Sequence, residues 1–541
     1  MSSTAPSYAC GTSETPLIGA TIGAQLRRTT AAFGDRDALV DVPSGRRWTY
    51  RELNAAVDAL ATGLHELGVG KGDRVAIWAP NVPEWVLTQY AAASIGAILV
   101  NINPAYRSHE LGFVLNQAEV SLLVAAKSFK SSDYAAMIDE VRGDAPALRE
   151  VVLLGSPEWD ALAATPADTG ALAERAAVLD RDDPINIQYT SGTTGFPKGA
   201  TLSHHNILNN GFLVTEVQEF TEADRLCVPV PFYHCFGMVM GNLGSMAHGS
   251  CVVIPAPSFS PAATLRAVAA ERCTALYGVP TMFIAELAEP DFASYDLSSL
   301  RTGIMSGSPC PVEYMKRVVA EMHMEQVTIC YGMTETSPVA THTRMDASLE
   351  RRTSTVGTPH PHVEIKIVDP ETGLTVPRGQ TGELCTRGYL VMRGYWRQPD
   401  RTAEVIDEAR WMHTGDLATM DDEDYVKIVG RLKDMVIRGG ENLYPREIEE
   451  FLYGHPDIAD VQVVGVPDER YGEELCAWVR MRDGAEPLTA ETLREFCLGK
   501  LTHYKIPRYV HVVEEFPMTV TGKVRKVAMR EESAKLLARA T

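Results

Sequence analysis

Short apolar runs alternate with helix-like segments through the first part of the chain. Residues 74–78 and 121–125 are short and apolar, as buried strands are, and residues 50–67 carry apolar side chains at helical spacing. Strands that alternate with helices in this way are typical of a layered α/β fold. The longest apolar run, residues 86–100, is interrupted by polar side chains. It falls short of the ~20 apolar residues of a membrane span, so we predict a buried helix that leads into a strand.

The pattern changes further along the chain. Residues 156–183 show no clear period and are predicted to be a loose connection, and residues 326–330 are predicted to be one strand. After Gly357, alternating residues and frequent turns predict a small β-rich region. A compact series of strands and helices then follows. We therefore predict an α/β fold with a large N-terminal domain over residues 1–431, made of α/β layers and a small β-rich subdomain, followed by a small α+β C-terminal domain over residues 432–541.

One segment combines glycines, hydroxyl side chains and a lysine after an apolar strand-like run. Residues 189–199 are Tyr-Thr-Ser-Gly-Thr-Thr-Gly-Phe-Pro-Lys-Gly. The glycines allow backbone N–H groups to approach an anion, and Lys198 adds a positive charge. We predict a phosphate-binding loop, with a Gly/Thr-rich surface turn as the alternative. It differs from the loop of P-loop enzymes because Pro197 precedes Lys198 and Gly199 follows it. The predicted phosphate-binding residues are Thr190, Ser191, Gly192, Thr193, Thr194, Gly195 and Lys198.

Composition and charge narrow the class of protein. Hydrophobic residues make up 45% of the 541 residues and charged residues 22%, as in a globular protein. A formal net charge of −20 argues against a nucleic-acid partner, because such a surface repels a phosphate backbone. The ten cysteines form no Cys-x-x-Cys pair, so neither a zinc knuckle nor a disulfide framework is indicated. No Lys or Arg precedes Arg27, unlike a secretory signal. We expect a cytoplasmic protein without an integral membrane segment.

Three further positions are candidates for binding chemistry. Residues 331–336 are Tyr-Gly-Met-Thr-Glu-Thr, in which a glycine after an aromatic ring gives a planar base access to that ring, and Glu335 offers hard oxygen ligands for Mg²⁺. Asp416 ends a Thr-Gly-Asp triplet and could accept hydrogen bonds from two ribose hydroxyls. Each motif alone also fits a plain turn. His234 lies among aromatic residues, where the local sequence favours a structural histidine.

Taken together, these segments closely resemble the adenylate-forming superfamily. This superfamily comprises acyl-CoA and aryl-CoA ligases, carrier-loading adenylation domains and beetle luciferases. Its motifs occur here in the family's order and approximate spacing, at residues 189–199, 331–336, 414–416, 430–434 and 521–523. Within the superfamily, residues 428–445 are most similar to the medium-chain fatty acyl-CoA synthetases.

The resemblance implies a role for each candidate residue. Glu335 and Thr190 would hold Mg²⁺, Lys523 would lie over the α-phosphate and the acyl carboxylate, and His234 would gate the acyl pocket. Lys433 would be the pivot about which a mobile small domain rotates. The implied adenine-binding and ribose-binding residues are Gly307, Ser308, Pro309, Tyr331, Gly332, Met333, Thr334, Asp416 and Arg431, and Gly439, Gly440 and Glu441 would line the channel for the pantetheine arm of CoA.

The resemblance also implies a reaction in two halves that uses ATP, Mg²⁺ and coenzyme A. A carboxylate attacks the α-phosphate of ATP to give acyl-AMP and pyrophosphate, and a thiolate then displaces AMP. Lys198 and Lys523 would offset the repulsion between carboxylate and polyphosphate, and both would act with Glu335 and His234 as the catalytic residues. The sequence offers no dedicated base for the thiol.

Several alternatives stay open at this point. Medium-chain fatty acids are the first expectation for the substrate, and aryl or cyclic acids are the second. A stand-alone enzyme that loads a separate acyl carrier protein would share every nucleotide-binding residue, although free CoA is expected because no carrier domain follows Thr541. A luciferase-type oxidoreductase would need an oxidisable substrate. A non-catalytic relative should lack Lys523 or Glu335, which are both present, and residues 303–307 have the wrong spacing for a serine hydrolase. A homodimer also stays open.

Overall fold

The computed structural model describes residues 5–190, 197–308, 310–439, 441–518 and 524–540. Within these ranges, no helix combines the length and the apolar character that crossing a bilayer requires. In chain order the strands are β1 (Tyr8–Cys10), β2 (Asp37–Asp41), β3 (Arg46–Thr49), β4 (Arg74–Trp78), β5 (Ile98–Asn101), β6 (Leu122–Ala125), β7 (Ser128–Phe129), β8 (Ser132–Asp133), β9 (Glu150–Leu153), β10 (Pro184–Thr190), β11 (Lys198–Ser203), β12 (Arg225–Cys227), β13 (Cys251–Ile254), β14 (Ala275–Gly278), β15 (Thr302–Met305), β16 (Gln326–Thr328), β17 (Cys330–Gly332), β18 (Val339–His342), β19 (Thr358–Pro359), β20 (Val363–Val368), β21 (Gly382–Gly388), β22 (Gly394–Tyr395), β23 (Met412–Met420), β24 (Val426–Arg431), β25 (Val436–Arg438), β26 (Glu441–Leu443), β27 (Ile458–Asp468), β28 (Gly472–Met481) and β29 (Tyr509–Val512).

The helices follow the same order. They are α1 (Ile22–Phe33), α2 (Tyr50–Glu66), α3 (Pro83–Ile95), α4 (Ser108–Gln117), α5 (Tyr134–Arg142), α6 (Pro157–Ala163), α7 (Thr169–Ala177), α8 (His204–Val217), α9 (Gly244–His248), α10 (Pro261–Glu271), α11 (Pro280–Leu287), α12 (Val312–Glu321), α13 (Leu349–Ser354), α14 (Pro399–Ala403), α15 (Pro445–Leu452), α16 (Ala490–Cys497) and α17 (Lys526–Ala540), with a π-helix over Phe236–Leu243 and 3₁₀ turns over Phe292–Ser294, Thr334–Thr336, Leu432–Asp434 and His503–Lys505.

Two seven-stranded sheets form the body of the large domain. Their strand orders are β22-β11-β10-β5-β4-β6-β9 and β16-β15-β14-β12-β13-β2-β3. Most neighbouring strands are parallel, and β10–β11, β11–β22 and β2–β3 are the antiparallel pairs. Strands such as β4 and β5 are almost entirely buried, which explains their continuous apolar sequence.

Helix α3 illustrates how the core is formed. Pro83 occupies its first turn, and Gly96, at φ 75°, ends it in the left-handed conformation. Its side chains are buried on every face, including the large rings of Trp85 and Tyr90. These rings belong to a continuous cluster of buried side chains that joins strands of both seven-stranded sheets.

Four smaller sheets complete the part of the chain that the structure describes, two of them being the three-stranded sheet β17-β18-β19 and the pair β7-β8. The antiparallel sheet β1-β20-β21-β23-β24 is the predicted β-rich subdomain, and the sheet β26-β25-β28-β27, with β29 parallel to β28, lies in the C-terminal part. The expected fold class, a large α/β part with a β-rich subdomain and a small α+β part, is confirmed. The boundary between residues 431 and 432 and the mobility of the small domain stay predictions.

Two sequence-based expectations were wrong. The predicted loose connection at residues 156–183 contains α6 and α7. Ser156 caps α6 and Asp168 caps α7, but both helices are too short for a visible period. The predicted single strand at residues 326–330 is divided between β16 and β17, which belong to different sheets.

Candidate active site

The predicted phosphate-binding segment joins two antiparallel strands. Strand β10 ends at Thr190, β11 begins at Lys198, and these two residues face each other across the hairpin. Ser191, Gly192, Thr193, Thr194 and Gly195 lie outside the described residues. Because a strand follows Lys198, the geometry differs from the strand-to-helix loop of P-loop enzymes, as the position of Pro197 predicts.

Glu335 and Thr190, the two predicted magnesium ligands, lie side by side. Glu335 is 5% exposed and lies in the 3₁₀ turn Thr334–Thr336. Its Oε1 atom is 3.4 Å from the hydroxyl of Thr190, 145 positions away in the chain. A carboxylate and a hydroxyl are the hard oxygen donors that Mg²⁺ prefers, so the residues fit this cation.

Tyr395 belongs to the same group, and sequence reasoning missed it. Its hydroxyl donates a hydrogen bond of 2.9 Å to Glu335 Oε1. Burial, followed by the charge of Glu335, raises the Tyr395 pKa well above its ordinary value, so the phenol keeps its proton and acts as a donor. The ammonium nitrogen of Lys198 lies 4.9 Å from the centre of the Tyr395 ring. The tyrosine thus touches both predicted charged residues, the lysine through a cation–π contact.

The predicted ribose-binding residues also come together. Asp416 on β23 faces Arg431 on β24, and the Nε atom of Arg431 donates to Asp416 Oδ1 at 3.1 Å. The hydroxyl of Tyr331 donates to Asp416 Oδ2 at 2.6 Å. Burial and the neighbouring Asp416 raise the pKa of Tyr331 well above its usual range. Each carboxylate oxygen of Asp416 has a second lone pair, so the group can still accept ribose hydroxyls.

Backbone geometry explains two glycines of the predicted adenine site. A Cβ atom on Gly332 would lie 1.7 Å from the carbonyl oxygen of Pro338, so no side chain fits there. Gly307 has φ +98°, a conformation that favours glycine. Ser308 follows Gly307 directly, and Met333 and Thr334 follow Gly332, so all three lie at strand exits, whereas Pro309 lies outside the described residues.

His234 lies between β12 and the π-helix. Its Nδ1 atom accepts a hydrogen bond of 3.1 Å from the backbone N–H of Phe236, the first residue of that helix. π-helical segments are rare and are frequently found at functional sites. This contact fixes the imidazole orientation, and the proposed gating role stays a prediction.

The predicted residues of the small domain are only partly described. Lys433 lies in the turn Leu432–Asp434, and burial together with nearby Arg431 lowers its pKa. Gly439 has φ +61° and donates its N–H to the carbonyl of Tyr471 at 2.8 Å. Exposed Glu441 opens β26 and pairs with Arg438 of the antiparallel strand β25. Gly440 and Lys523 lie outside the described residues.

Comparison with known proteins gives the class to which this arrangement belongs. The profile described as "AMP-binding enzyme" matches residues 26–396, and the profile described as "AMP-binding enzyme C-terminal domain" matches residues 447–523. The first match covers more than half of the chain, so the chain belongs to the AMP-binding enzyme family. The resemblance to adenylate-forming enzymes is therefore confirmed.

Individual relatives extend over nearly the whole chain. "Putative acyl-CoA synthetase YngI" of Bacillus subtilis (strain 168) is 47% identical over 96% of this chain and 98% of its own length. The mitochondrial medium-chain acyl-CoA ligase ACSF2 of Danio rerio is 43% identical over 98% of this chain and 91% of its own. The crystal structure of ATP-bound MatB from Rhodopseudomonas palustris covers 96% of this chain and 100% of its own, with a TM-score of 0.82 and 30% identity.

Proposed function

We propose that this protein is an AMP-forming acyl-CoA ligase that converts a medium-chain fatty acid, ATP and CoA into acyl-CoA, AMP and pyrophosphate. The observation that carries the proposal is the contact of Thr190, Glu335 and Tyr395 beside Lys198. This group gathers oxygen ligands and a positive charge at the end of the glycine-rich hairpin. A polyphosphate needs both.

In the first half-reaction, a carboxylate oxygen of the acid attacks the α-phosphorus of ATP. A new phosphorus–oxygen bond forms, the bond to the β-phosphate breaks, and pyrophosphate leaves. Lys198 faces Thr190 across the hairpin, so its ammonium group can neutralise the phosphates that depart. Asp416 and Arg431 orient the ribose and so hold the α-phosphorus in place for attack.

Magnesium fits the oxygen atoms of Thr190 and Glu335 and, when bound, supplies positive charge that screens the polyphosphate. The chain prepares the site independently of the cation. The Tyr395 hydroxyl orients the Glu335 carboxylate, and the backbone N–H of Met392 donates to the Glu335 carbonyl at 2.9 Å. Both contacts hold Glu335 against the edge strand β22 and the turn before it.

In the second half-reaction, the sulfur of CoA attacks the acyl carbonyl and AMP leaves with the former carboxylate oxygen. The thiol loses its proton during the attack. The proposed path for the pantetheine arm passes Gly439 and Gly440. Lys433 is the proposed pivot of the small-domain rotation that moves Lys523 away from the acyl group so that the thiol can approach. Free CoA is the proposed acceptor. A separate carrier protein is the alternative acceptor, and turnover with and without CoA distinguishes the two.

The proposed acyl group is apolar. The 43% identity to a protein named medium-chain acyl-CoA ligase supports a fatty acid of medium length. Phe232 and the π-helix residues Phe236 and Val239 are buried and apolar, next to His234. The proposed acyl pocket lies beside these side chains, where an apolar lining would favour an alkyl chain through the area that it removes from water.

The proposed location is the cytoplasm. All ten cysteines are free, although nine of them are at least partly buried. Free thiols in this number are typical of a reducing compartment.

Pyrophosphate release over a panel of carboxylic acids, measured with and without CoA, tests the proposed function. The panel contains straight-chain acids of increasing length, benzoate and a cyclic acid. We expect one burst of pyrophosphate without CoA and steady turnover with CoA, with the highest kcat/KM for medium-chain acids. Steady turnover only with a carrier protein, or a preference for benzoate, would contradict the proposal.

A further inference from the structure

A second cluster of ligand atoms lies in the β-rich subdomain, away from the proposed magnesium site. Glu383 and Cys385 are both on β21, two positions apart, so their side chains project from the same face of the sheet. His413 on β23 is the direct cross-strand partner of Cys385. Its Nδ1 atom is 2.8 Å from Glu383 Oε2 and 3.4 Å from Cys385 Sγ. One ligand atom from each residue lies within 4.8 Å of the others.

These distances are close to those that a tetrahedral zinc ion requires. With zinc–nitrogen and zinc–oxygen bonds of about 2.0–2.2 Å and a zinc–sulfur bond of about 2.3 Å, neighbouring ligand atoms are roughly 3.3–3.7 Å apart. The Cys385 Sγ to His413 Nδ1 distance already matches this value. The Glu383 carboxylate needs to withdraw by less than an ångström from the imidazole, a change that a side-chain rotation supplies.

Asp407 lies near the other ring nitrogen of His413, at ion-pair distance rather than hydrogen-bond distance. Its Oδ2 atom lies 3.8 Å from His413 Nε2, on the opposite side of the imidazole from Glu383. Metal-binding histidines commonly direct their second ring N–H to a carboxylate, which fixes the tautomer and raises the basicity of the ligating nitrogen. Here such a carboxylate would leave Nδ1 as the metal-binding atom.

The three ligand residues are buried to different degrees, and the cluster is most open to solvent at His413. Cys385 is fully buried, the Glu383 side chain is 11% exposed, and the His413 side chain is 31% exposed. A cation can therefore enter from the side of the histidine and keep a water molecule as its fourth ligand.

Lys366 on β20 faces Cys385 across the β20–β21 pair, and its ammonium group lies 4.4 Å from the centre of the Trp411 ring.

We propose that Glu383, Cys385 and His413 form a binding site for Zn²⁺ or a similar borderline divalent cation. Binding forms metal–oxygen, metal–sulfur and metal–nitrogen bonds. It releases the thiol proton of Cys385 and any second proton on His413, so affinity increases with pH. A thiolate and an imidazole together select zinc over magnesium, because magnesium prefers oxygen ligands.

The site is adjacent to the turn that carries the ribose-binding aspartate. Glu383 uses its other oxygen, Oε1, to accept the backbone N–H of Gly415 at 3.0 Å. The Thr414 hydroxyl donates to the carbonyl of Leu384 at 2.7 Å. A cation on Glu383 is therefore one hydrogen bond away from the Thr414–Gly415–Asp416 turn, which couples the two sites through a shared side chain.

Equilibrium dialysis of the metal-free protein against Zn²⁺ tests the site, with bound metal measured by atomic spectroscopy. We expect the parent to bind about one more Zn²⁺ per chain than Cys385→Ser or Cys385→Val does at low micromolar free zinc. Asp407→Asn, which alters only the orienting carboxylate, should weaken binding ~10-fold. Cys10→Ser is the matched control, because Cys10 is an exposed thiol outside the cluster.

Cobalt spectroscopy of the unsubstituted protein keeps the proposal falsifiable if the cysteine variants fold poorly. Co²⁺ in the site should show a thiolate-to-cobalt charge-transfer band and the intense visible bands of four-coordinate cobalt. Cys10→Ser should keep both features, and His413→Gln should lose them. Absence of the charge-transfer band in the parent, or equal Zn²⁺ binding by the parent and the Cys385 variants, would overturn the proposal.

Discussion

Glu335 is nearly buried, and two hydroxyl groups contact its carboxylate. Thr190 is 3.4 Å away, and Tyr395 donates a shorter bond of 2.9 Å to the same oxygen. Removing a carboxylate from water is costly unless hydrogen bonds or a cation compensate it. The two hydroxyls supply part of that compensation, and the second oxygen is the one that we propose binds the metal ion.

We expect Glu335→Gln to need a higher Mg²⁺ concentration for half of its maximal rate, because the amide keeps the shape but lacks the negative charge. Glu174→Gln is the control, since Glu174 is exposed on α7. The measurement is a Mg²⁺ titration of pyrophosphate release. If the titration of Glu335→Gln overlays that of the parent, Glu335 is not a metal ligand.

Tyr395→Phe tests the contact that only the structure revealed. The change removes one hydrogen bond to a charged group, worth ~1.5–3 kcal/mol, and keeps the ring beside Lys198. We expect acyl-AMP formation to slow by roughly 10-fold to 100-fold, measured in a single turnover. Tyr453→Phe is the matched control, because the Tyr453 hydroxyl also bonds to a carboxylate, that of Asp460, at the surface of the small domain. Equal effects in both variants would contradict an active-site role for Tyr395.

At the scale of elements, the candidate site is built where strands end. Thr190 ends β10, Lys198 begins β11, and the Tyr331 motif starts in β17. Ligand sites of α/β proteins commonly lie at such ends. The chain must turn sharply there, and close backbone contacts leave room for glycine alone at some positions.

Gly332→Ala should damage this turn. The added Cβ would lie 1.7 Å from the Pro338 oxygen, and a backbone atom cannot move aside as a flexible side chain can. We expect a loss of stability of at least ~1–3 kcal/mol, observed as a lower unfolding temperature, together with weaker binding of AMP. Gly143→Ala is the control, since a Cβ at Gly143 meets no atom within 4 Å and its φ is −61°. An unchanged unfolding temperature for Gly332→Ala would show that the turn can adapt.

Much of this element structure could be predicted. The buried helix α3 and the strand β5 occupy the apolar run at residues 86–100, as the sequence predicts. Residues 156–183 could not be predicted, because α6 and α7 are stabilised by caps and by burial of Trp159 and Leu172 rather than by a long amphipathic period.

At the scale of the whole molecule, buried histidines make the fold sensitive to acid. His204 and His342 are essentially unexposed. Burial lowers the His204 pKa to about 4 and the His342 pKa to about 3, against an ordinary value of 6.5. In the unfolded chain these two histidines therefore bind protons below pH 6.5. In the folded chain they bind protons only when the pH reaches the lower values. The contribution of these histidines to the free energy of unfolding is complete above pH 6.5 and is lost as the pH falls below it.

We expect the urea midpoint to fall steadily from about pH 7 to about pH 4, with His204 contributing on the order of 3 kcal/mol of the loss. In the folded protein the His204 Nδ1 atom accepts the N–H of Ile22 at 3.2 Å, and an asparagine oxygen can replace that acceptor. His204→Asn should therefore show a shallower decrease with pH than the parent. An equal slope in both proteins would exclude His204 as a source of the acid sensitivity.

The two half-reactions should depend on different residues of the small domain. Lys523→Ala removes a cation from developing charge and should slow acyl-AMP formation by at least ~10²-fold, while pre-formed acyl-AMP and CoA still give thioester at nearly the parent rate. Gly440→Leu should block the path of the thiol and leave pyrophosphate release in a single turnover unchanged. The measurement is both half-reaction rates for both variants. If either variant slows both halves equally, the small domain does not alternate between two faces.

The sequence by itself determined which segments are predicted to bind the nucleotide. Each is a short contiguous motif whose glycines, hydroxyls and charges are local requirements, such as Lys198 after Pro197 and Glu335 in its turn. Tertiary structure alone decided which side chains meet. Tyr395 reaches Glu335 across 60 positions, and His413 reaches Glu383 across 30. These contacts depend on strand order and register, which are set by packing between distant segments and leave no periodic signal in the chain.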